Sequence, residues 1–292
     1  MIQCPQSIKK LEMRDLIMAL IQCDFFSTSL MRTVTINVIV PTDKMVPAEK
    51  QQEAKPFKTL YLLHGIFGNY TDWLSGTRLQ AWAQDKNIAV VMPSGENSFY
   101  VDKDIPGQQY GTFIQKELVE FTRKTFPLSH KREDTFLGGL SMGGYGAIIN
   151  GLNAPETFSA VCPLSAATME GRFDHLKSGS PDIFNNKEYF EMLFGDLDQF
   201  VGSNKDYAAV AQKIVDSGVE KPKFYIACGT EDFLFDANIV FKDKLIELGF
   251  DVTWVQDTGG HDWPFWDKYI YKVLEWLPLD EEVAGISSGN VR

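Results

Sequence analysis

The sequence predicts an α/β protein with a mostly parallel central sheet and helices on both faces. Three observations carry that expectation. From residue 58 onward, short apolar runs alternate with segments of helical period, the pattern of parallel strands joined by crossover helices. The apolar runs are short and nearly continuous, as in strands buried on both faces of a sheet. One of them, residues 135–140, runs straight into the glycine-rich stretch Gly139-Leu140-Ser141-Met142-Gly143 and then into a helix-like segment. The chain has 292 residues, more than the prior of about 150 per domain. No linker, internal repeat or low-complexity tract divides it, so residues 18–280 read as a single domain.

In chain order, residues 19–28 and 32–40 are β-rich runs joined by a turn near Ser29–Met31. The second alternates in part through Val34, Ile36, Val38 and Val40, as expected of a hairpin strand with one covered face. Residues 43–55 are polar and contain Pro47, which predicts a surface loop. Residues 58–63 form a strand, 65–76 a turn-rich loop, 77–86 a helix, and 88–92 a buried strand stopped by Pro93. A loop over 94–108 contains Asn97, Phe99, Tyr100 and Gly107. Residues 110–126 have helical spacing and end at Pro127. After the strand at 135–140 come a helix (145–152) and strands at 159–164, 223–228 and 252–256. Helices at 234–248 and 262–277 follow the last two strands.

One segment breaks this rhythm. Residues 166–207 replace a crossover helix with about forty residues that include Phe173, Phe184, Tyr189, Phe190 and Phe194. An excursion of that length is usually either functional or disordered, and its aromatic content predicts an ordered, cap-like insertion. Residues 1–17 share no pattern with the rest and read as an N-terminal extension. Residues 281–292 read as a C-terminal tail.

Composition narrows the range of partners. A net charge of −11 argues against nucleic acid, which requires basic surface to replace phosphate counterions. It argues equally against an anionic membrane. Lys9 and Lys10 precede an apolar run at 16–21, but Glu12, Arg14 and Asp15 interrupt any signal-like region. No stretch approaches the roughly 20 apolar residues of a membrane span. The four cysteines, Cys4, Cys23, Cys162 and Cys228, lack the spacing of a zinc or redox motif. Two of them lie in apolar strands, as suits a reducing compartment. The expectation is a cytoplasmic protein acting on a small molecule, with no metal and no cofactor. Self-association into a homo-oligomer stays open.

The chemistry centres on Ser141. A serine between two glycines in a sharp strand-to-helix turn has its hydroxyl pushed out over the sheet. Such a hydroxyl needs a neighbouring base to become nucleophilic. Of His64, His130, His175 and His261, only His261 follows the last predicted strand and comes after the serine in the order Ser, acid, His. The acid should orient the imidazole. Asp232, Glu231 and Asp236 all lie just after the strand at 223–228. An oxyanion requires preorganised N–H donors. The amides expected there are those of Met142, beside the nucleophile, and Ile66, in the loop after residues 58–63. His64 reads as a structural hydrogen-bonding residue. The side chains of Phe67 and Trp73 are expected to line a short apolar acyl pocket together with the insertion. No second metal ligand accompanies His261 at helical spacing, and the glycine pairs lack the lysine of a phosphate loop.

These segments together resemble the esterase family that includes esterase D, feruloyl esterases and mycolyltransferases, over residues 18–277. Within it the chain is most similar to the small tributyrin-type esterases of lactic acid bacteria. The matching pieces are Leu62-Leu63-His64-Gly65 with Asp72-Trp73, Gly139 to Ala147, Cys228-Gly229-Thr230-Glu231-Asp232, and Gly260-His261-Asp262-Trp263. The resemblance implies the α/β-hydrolase fold and a cofactor-free Ser–Asp–His triad, and it selects Asp232 as the acid. It further implies a serine carboxylesterase for acetyl to butyryl-type esters. Family members also include S-formylglutathione thioesterases and esterases of plant carbohydrate esters, and one branch transfers acyl groups to an alcohol. A non-catalytic binding module is disfavoured, because Ser141, Asp232 and His261 are all present.

Overall fold

The computed structural model describes residues 19–42, 55–169 and 171–280. The segments 1–17 and 281–292 and most of the loop at 43–55 lie outside them. Eight strands form one open sheet. Strand β1 (Ala19–Ser27) pairs antiparallel with β2 (Arg32–Val40), and β2 pairs antiparallel with β4 (Ala89–Pro93). The remaining neighbours, β3 (Thr59–Leu63), β5 (Thr135–Leu140), β6 (Ala160–Leu164), β7 (Lys223–Gly229) and β8 (Val252–Asp257), are parallel. The order across the sheet is β1-β2-β4-β3-β5-β6-β7-β8. Every residue of β3, β4, β5 and β6 is buried, which is why their sequences do not alternate in polarity.

Helices cover both faces. On one side, α1 (Asp72–Gly76), α2 (Leu79–Asp85) and α9 (Trp263–Trp276) pack over a core that includes Leu60, Leu62, Val90, Phe136 and Ile270. On the other, α3 (Tyr110–Thr112) and α4 (Leu118–Thr125) share a core with α5 (Met142–Asn153), α6 (Lys187–Phe194), α7 (Tyr207–Ser217) and α8 (Phe235–Glu247). The sheet pattern and most helices match the sequence expectation to within a few residues. Four details differ. The loop at 65–76 contains α1, opened by Asp72 in its first turn. The helix over 110–126 is interrupted by a π turn at Phe113–Glu117. The helix after Ser141 starts at once, at Met142. The helix α7 was not anticipated, although Asp206 caps it by accepting from the Ala208 amide and Gly218 closes it in the left-handed conformation.

The insertion is ordered around its aromatics. Rings of Phe173, Phe190, Phe194 and Phe200 pack on one another, with centroids 4.9–6.2 Å apart, and meet Phe99 and Tyr145 of the body. Most of these aromatics therefore hold the cap to the body. The carboxyl ends of β3 to β6 lead into loops and helices that meet this cap, on the expected ligand side of an open parallel sheet.

Candidate active site

Ser141 stands between β5 and α5 with φ +53° and ψ −116°, a costly conformation for a residue with a side chain. The surroundings fix it there. Its N–H donates to the Leu164 carbonyl at 3.0 Å, and its carbonyl accepts from Tyr145 at 3.1 Å and Ala167 at 3.0 Å. The flanking glycines are required by contact. A Cβ on Gly143 would sit 2.5 Å from the carbonyl oxygens of Leu63 and His64, and one on Gly139 would strike the Gly143 backbone. Close approach of β3 to the start of α5 thus depends on the absence of side chains.

Three side chains from distant parts of the chain converge here. His261 Nε2 lies 2.9 Å from Ser141 Oγ, and His261 Nδ1 lies 2.9 Å from Asp232 Oδ2. A carboxylate only accepts, so Nδ1 carries the proton and Nε2 is free to accept from the serine hydroxyl. The Asp232 side chain is wholly buried. Burial alone would raise its carboxyl, but hydrogen bonds from His261, the Leu234 amide and Ser165 outweigh it and hold the group below the usual carboxylate value. The rivals Glu231 and Asp236 are both exposed. His261 itself is flanked by two rings, Phe233 at 4.7 Å and Trp266 edge-on at 4.9 Å.

His64 is buried; its Nε2 accepts from the Gly95 N–H at 2.8 Å, so its Nδ1 proton goes to the Gly65 carbonyl at 2.6 Å. Burial keeps this imidazole neutral by lowering its pKa. His64 is thus a structural link, while His130 and His175 are exposed. Met142 is the first residue of α5, so its N–H has no intrahelical acceptor. Ile66 sits one residue beyond Gly65, where an added Cβ would lie 3.6 Å from Ser141 Cβ. Among the described residues neither amide has an acceptor within the protein. Phe67 is 66% exposed at φ +67°, and its ring meets Phe184 of the insertion at 6.2 Å.

Trp73 requires a correction. It is 1% exposed and lies in the core beneath the sheet, where its indole N–H donates to the Leu63 carbonyl at 3.0 Å and its ring packs edge-on against Trp263. The sequence placed it in the pocket because it follows the Ile66 loop; α1 turns it inward instead. Three supporting residues carried no sequence signal for their positions. Buried Asn238 bonds both the Ala166 amide and carbonyl, anchoring the start of the insertion beside Ser141. Ser165, also buried and at φ +46°, accepts from Trp266 Nε1 at 3.2 Å. Asn97 Oδ1 accepts from the Phe67 amide.

Among the described residues no group of three or more His, Cys, Asp or Glu side chains is placed to hold a metal ion, and no helix is long and apolar enough to cross a membrane. The arrangement can activate a hydroxyl, hold a protonated imidazole and offer two N–H donors to a developing anion, the requirements of acyl transfer.

Comparison with known proteins agrees with that chemistry. An acetyl esterase of Caldicellulosiruptor saccharolyticus is 43% identical over 263 residues, covering 89% of this chain and 98% of its own. The fluorophosphonate-binding serine hydrolase FphF of Staphylococcus aureus superposes with a TM-score of 0.78 at 30% identity, covering 90% of this chain and 99% of its own. The S-formylglutathione hydrolase FrmB of the same organism gives 0.76 at 30% identity, with 89% and 99% covered. The model of the esterase family described as "Putative esterase" matches residues 27–277, and the chain accordingly belongs to that family, as an α/β-hydrolase acting on carboxylic esters.

Proposed function

We propose that the protein is a serine carboxylesterase for short acyl esters, from acetyl to butyryl. The observation that carries this is the unbroken chain from Asp232 through His261 to Ser141, with both links at 2.9 Å. His261 Nε2 takes the hydroxyl proton as Ser141 Oγ attacks the ester carbonyl, and the amides of Ile66 and Met142 receive the oxyanion. As the tetrahedral intermediate collapses, the imidazolium gives its proton to the departing alcohol. Water then repeats the sequence on the acyl-enzyme and releases the acid. Asp232, held ionised in its buried setting, keeps Nδ1 protonated and stabilises the imidazolium throughout.

The similarity to an acetyl esterase supports the short acyl group. So does the burial of the nucleophile, which is only 7% exposed. The decisive experiment is a series of p-nitrophenyl esters from acetate to decanoate. Each methylene buried in a pocket is worth about 0.8 kcal/mol, or roughly fourfold. A short pocket gives kcat/KM rising over the first few carbons and then falling; a steady rise through decanoate overturns the reading. A thioesterase is the second reading, favoured by the likeness to S-formylglutathione hydrolase. Comparing S-formylglutathione with butyrate esters at equal enzyme concentration separates the two.

A further inference from the structure

The loop after β4 touches both the site and the insertion. Near its start, the Gly95 N–H donates to His64 Nε2 at 2.8 Å, and Ser94 Oγ accepts from the Tyr70 amide at 3.2 Å. Further along it, the Tyr100 hydroxyl donates to the His64 carbonyl at 3.0 Å. These bonds fix the two flanks of the loop that follows β3. A further one reaches its middle: Asn97 Oδ1 accepts from the Phe67 amide at 2.8 Å.

That bond falls at a strained position. Phe67 holds φ +67° with its ring largely in solvent, so little core packing holds the backbone in a conformation unfavourable for an aromatic residue. The ring's partner is Phe184, in the insertion. The backbone carbonyl of Asn97 in turn accepts from the Tyr189 hydroxyl on α6, at 3.4 Å. Asn97 therefore stands between the insertion and the residue that follows Ile66.

We propose that Asn97 is a positioning residue of the oxyanion hole. By holding the Phe67 N–H it fixes the Ile66–Phe67 peptide, and so the aim of the Ile66 amide, while Tyr189 ties that setting to the seating of the insertion. The proposal rests on the reading of Ile66 and Met142 as oxyanion donors. Loss of a whole donor costs about 10²–10³ in kcat; loss of its alignment costs a part of that, about ten- to a hundredfold.

The test uses Asn97→Ala, Asn97→Asp and Tyr189→Phe in the full chain. Readouts are kcat and KM for p-nitrophenyl acetate, Tm, and affinity for a short-chain trifluoromethyl ketone, whose hemiketal with serine bears an oxyanion. In Asn97→Ala, kcat and ketone affinity are expected to fall together, about ten- to a hundredfold, with KM within twofold. Asn97→Asp keeps an acceptor at the same reach and recovers most of the lost ketone affinity; it also serves as the reference if Asn97→Ala lowers Tm strongly. Tyr189→Phe gives a smaller loss of the same pattern. A kcat within twofold of wild type in Asn97→Ala, or a fall in kcat without one in ketone affinity, overturns the proposal. So does an Asn97→Asp that recovers nothing. If the wild-type protein does not bind the ketone covalently, the reading of the site itself fails; if wild type and Asn97→Ala bind it equally, only the role of Asn97 does.

Discussion

At the scale of single residues, the site depends on one strained serine and one buried carboxylate. Ser141 gains its φ of +53° from the bonds at Leu164, Tyr145 and Ala167 rather than from its own preference. Ser141→Ala removes the hydroxyl without disturbing those backbone bonds. It should reduce kcat by about 10⁴–10⁶-fold while substrate affinity stays close to wild type. Steady-state kinetics and equilibrium binding check this, and retention of a tenth of the activity excludes Ser141 as nucleophile. Trp73 gives the opposite pattern. It is a core residue with a satisfied indole N–H, so Trp73→Ala should cost about 3–5 kcal/mol of stability, seen in chemical denaturation. Trp73→Phe should leave the acyl-length profile unchanged. An altered profile in a stably folded Trp73→Phe would return this residue to the pocket.

At the scale of elements, the loops at the carboxyl ends of the strands hold the strain. Of eight non-glycine residues with positive φ among those described, six lie after β3, β4, β5 and β6: Phe67, Glu96, Phe99, Tyr100, Ser141 and Ser165. Such clustering marks the working edge of the sheet. Phe184 extends that edge from the insertion, and Phe184→Ala should move the acyl-length optimum toward longer chains in the p-nitrophenyl series. An unmoved optimum would show that Phe184 does not bound the pocket. At the turn between β1 and β2, the π turn ends at Glu117, whose carboxylate accepts from Ser27 Oγ, the Thr28 amide and hydroxyl, and the Ser29 amide at 2.6–3.0 Å. Burial raises this carboxyl, but those bonds prevail and bring it from 4.5 to about 2. A folded value below the unfolded one stabilises the protein fully above pH 4.5 and progressively less as pH falls toward 2. Glu117→Gln should therefore lower Tm by about 2–4 °C at neutral pH, and the gap should close on acidification. A gap constant from pH 7 to 3 would contradict the charge-based account.

At the scale of the whole molecule, residues 141, 232 and 261 meet because β5, β7 and β8 run parallel and end on the same side. Parallel order places every loop after a strand at one edge of the sheet, so three separate turns become one site. A fluorophosphonate probe should accordingly label one equivalent per chain, with all labelling lost in Ser141→Ala. Residual stoichiometric labelling in that variant would reveal a second reactive hydroxyl.

The sequence alone determined the strand and helix pattern, the glycine-flanked turn at Ser141 and the place of His261 directly after the last strand. These signals are local: continuous apolar runs, a Gly-x-Ser-x-Gly turn whose glycines cannot bear a Cβ, and a histidine directly after the last strand. Family resemblance selected Asp232 from three acids; tertiary structure gives the physical reason, since burial and the bond to His261 distinguish it from exposed Glu231 and Asp236. Tertiary structure alone decided Trp73, whose place after the Ile66 loop suggests the pocket until α1 folds it under the sheet. It alone decided that most aromatics of the insertion serve as packing and that Phe184 stays exposed beside Phe67. Asn97, Asn238 and Ser165 bond Phe67, Ala166 and Trp266 across 30, 72 and 101 positions of the chain, and no periodicity or spacing links such pairs. Only the assembled sheet brings them within hydrogen-bond distance, because the loops and helices that follow different strands converge at one end of the sheet.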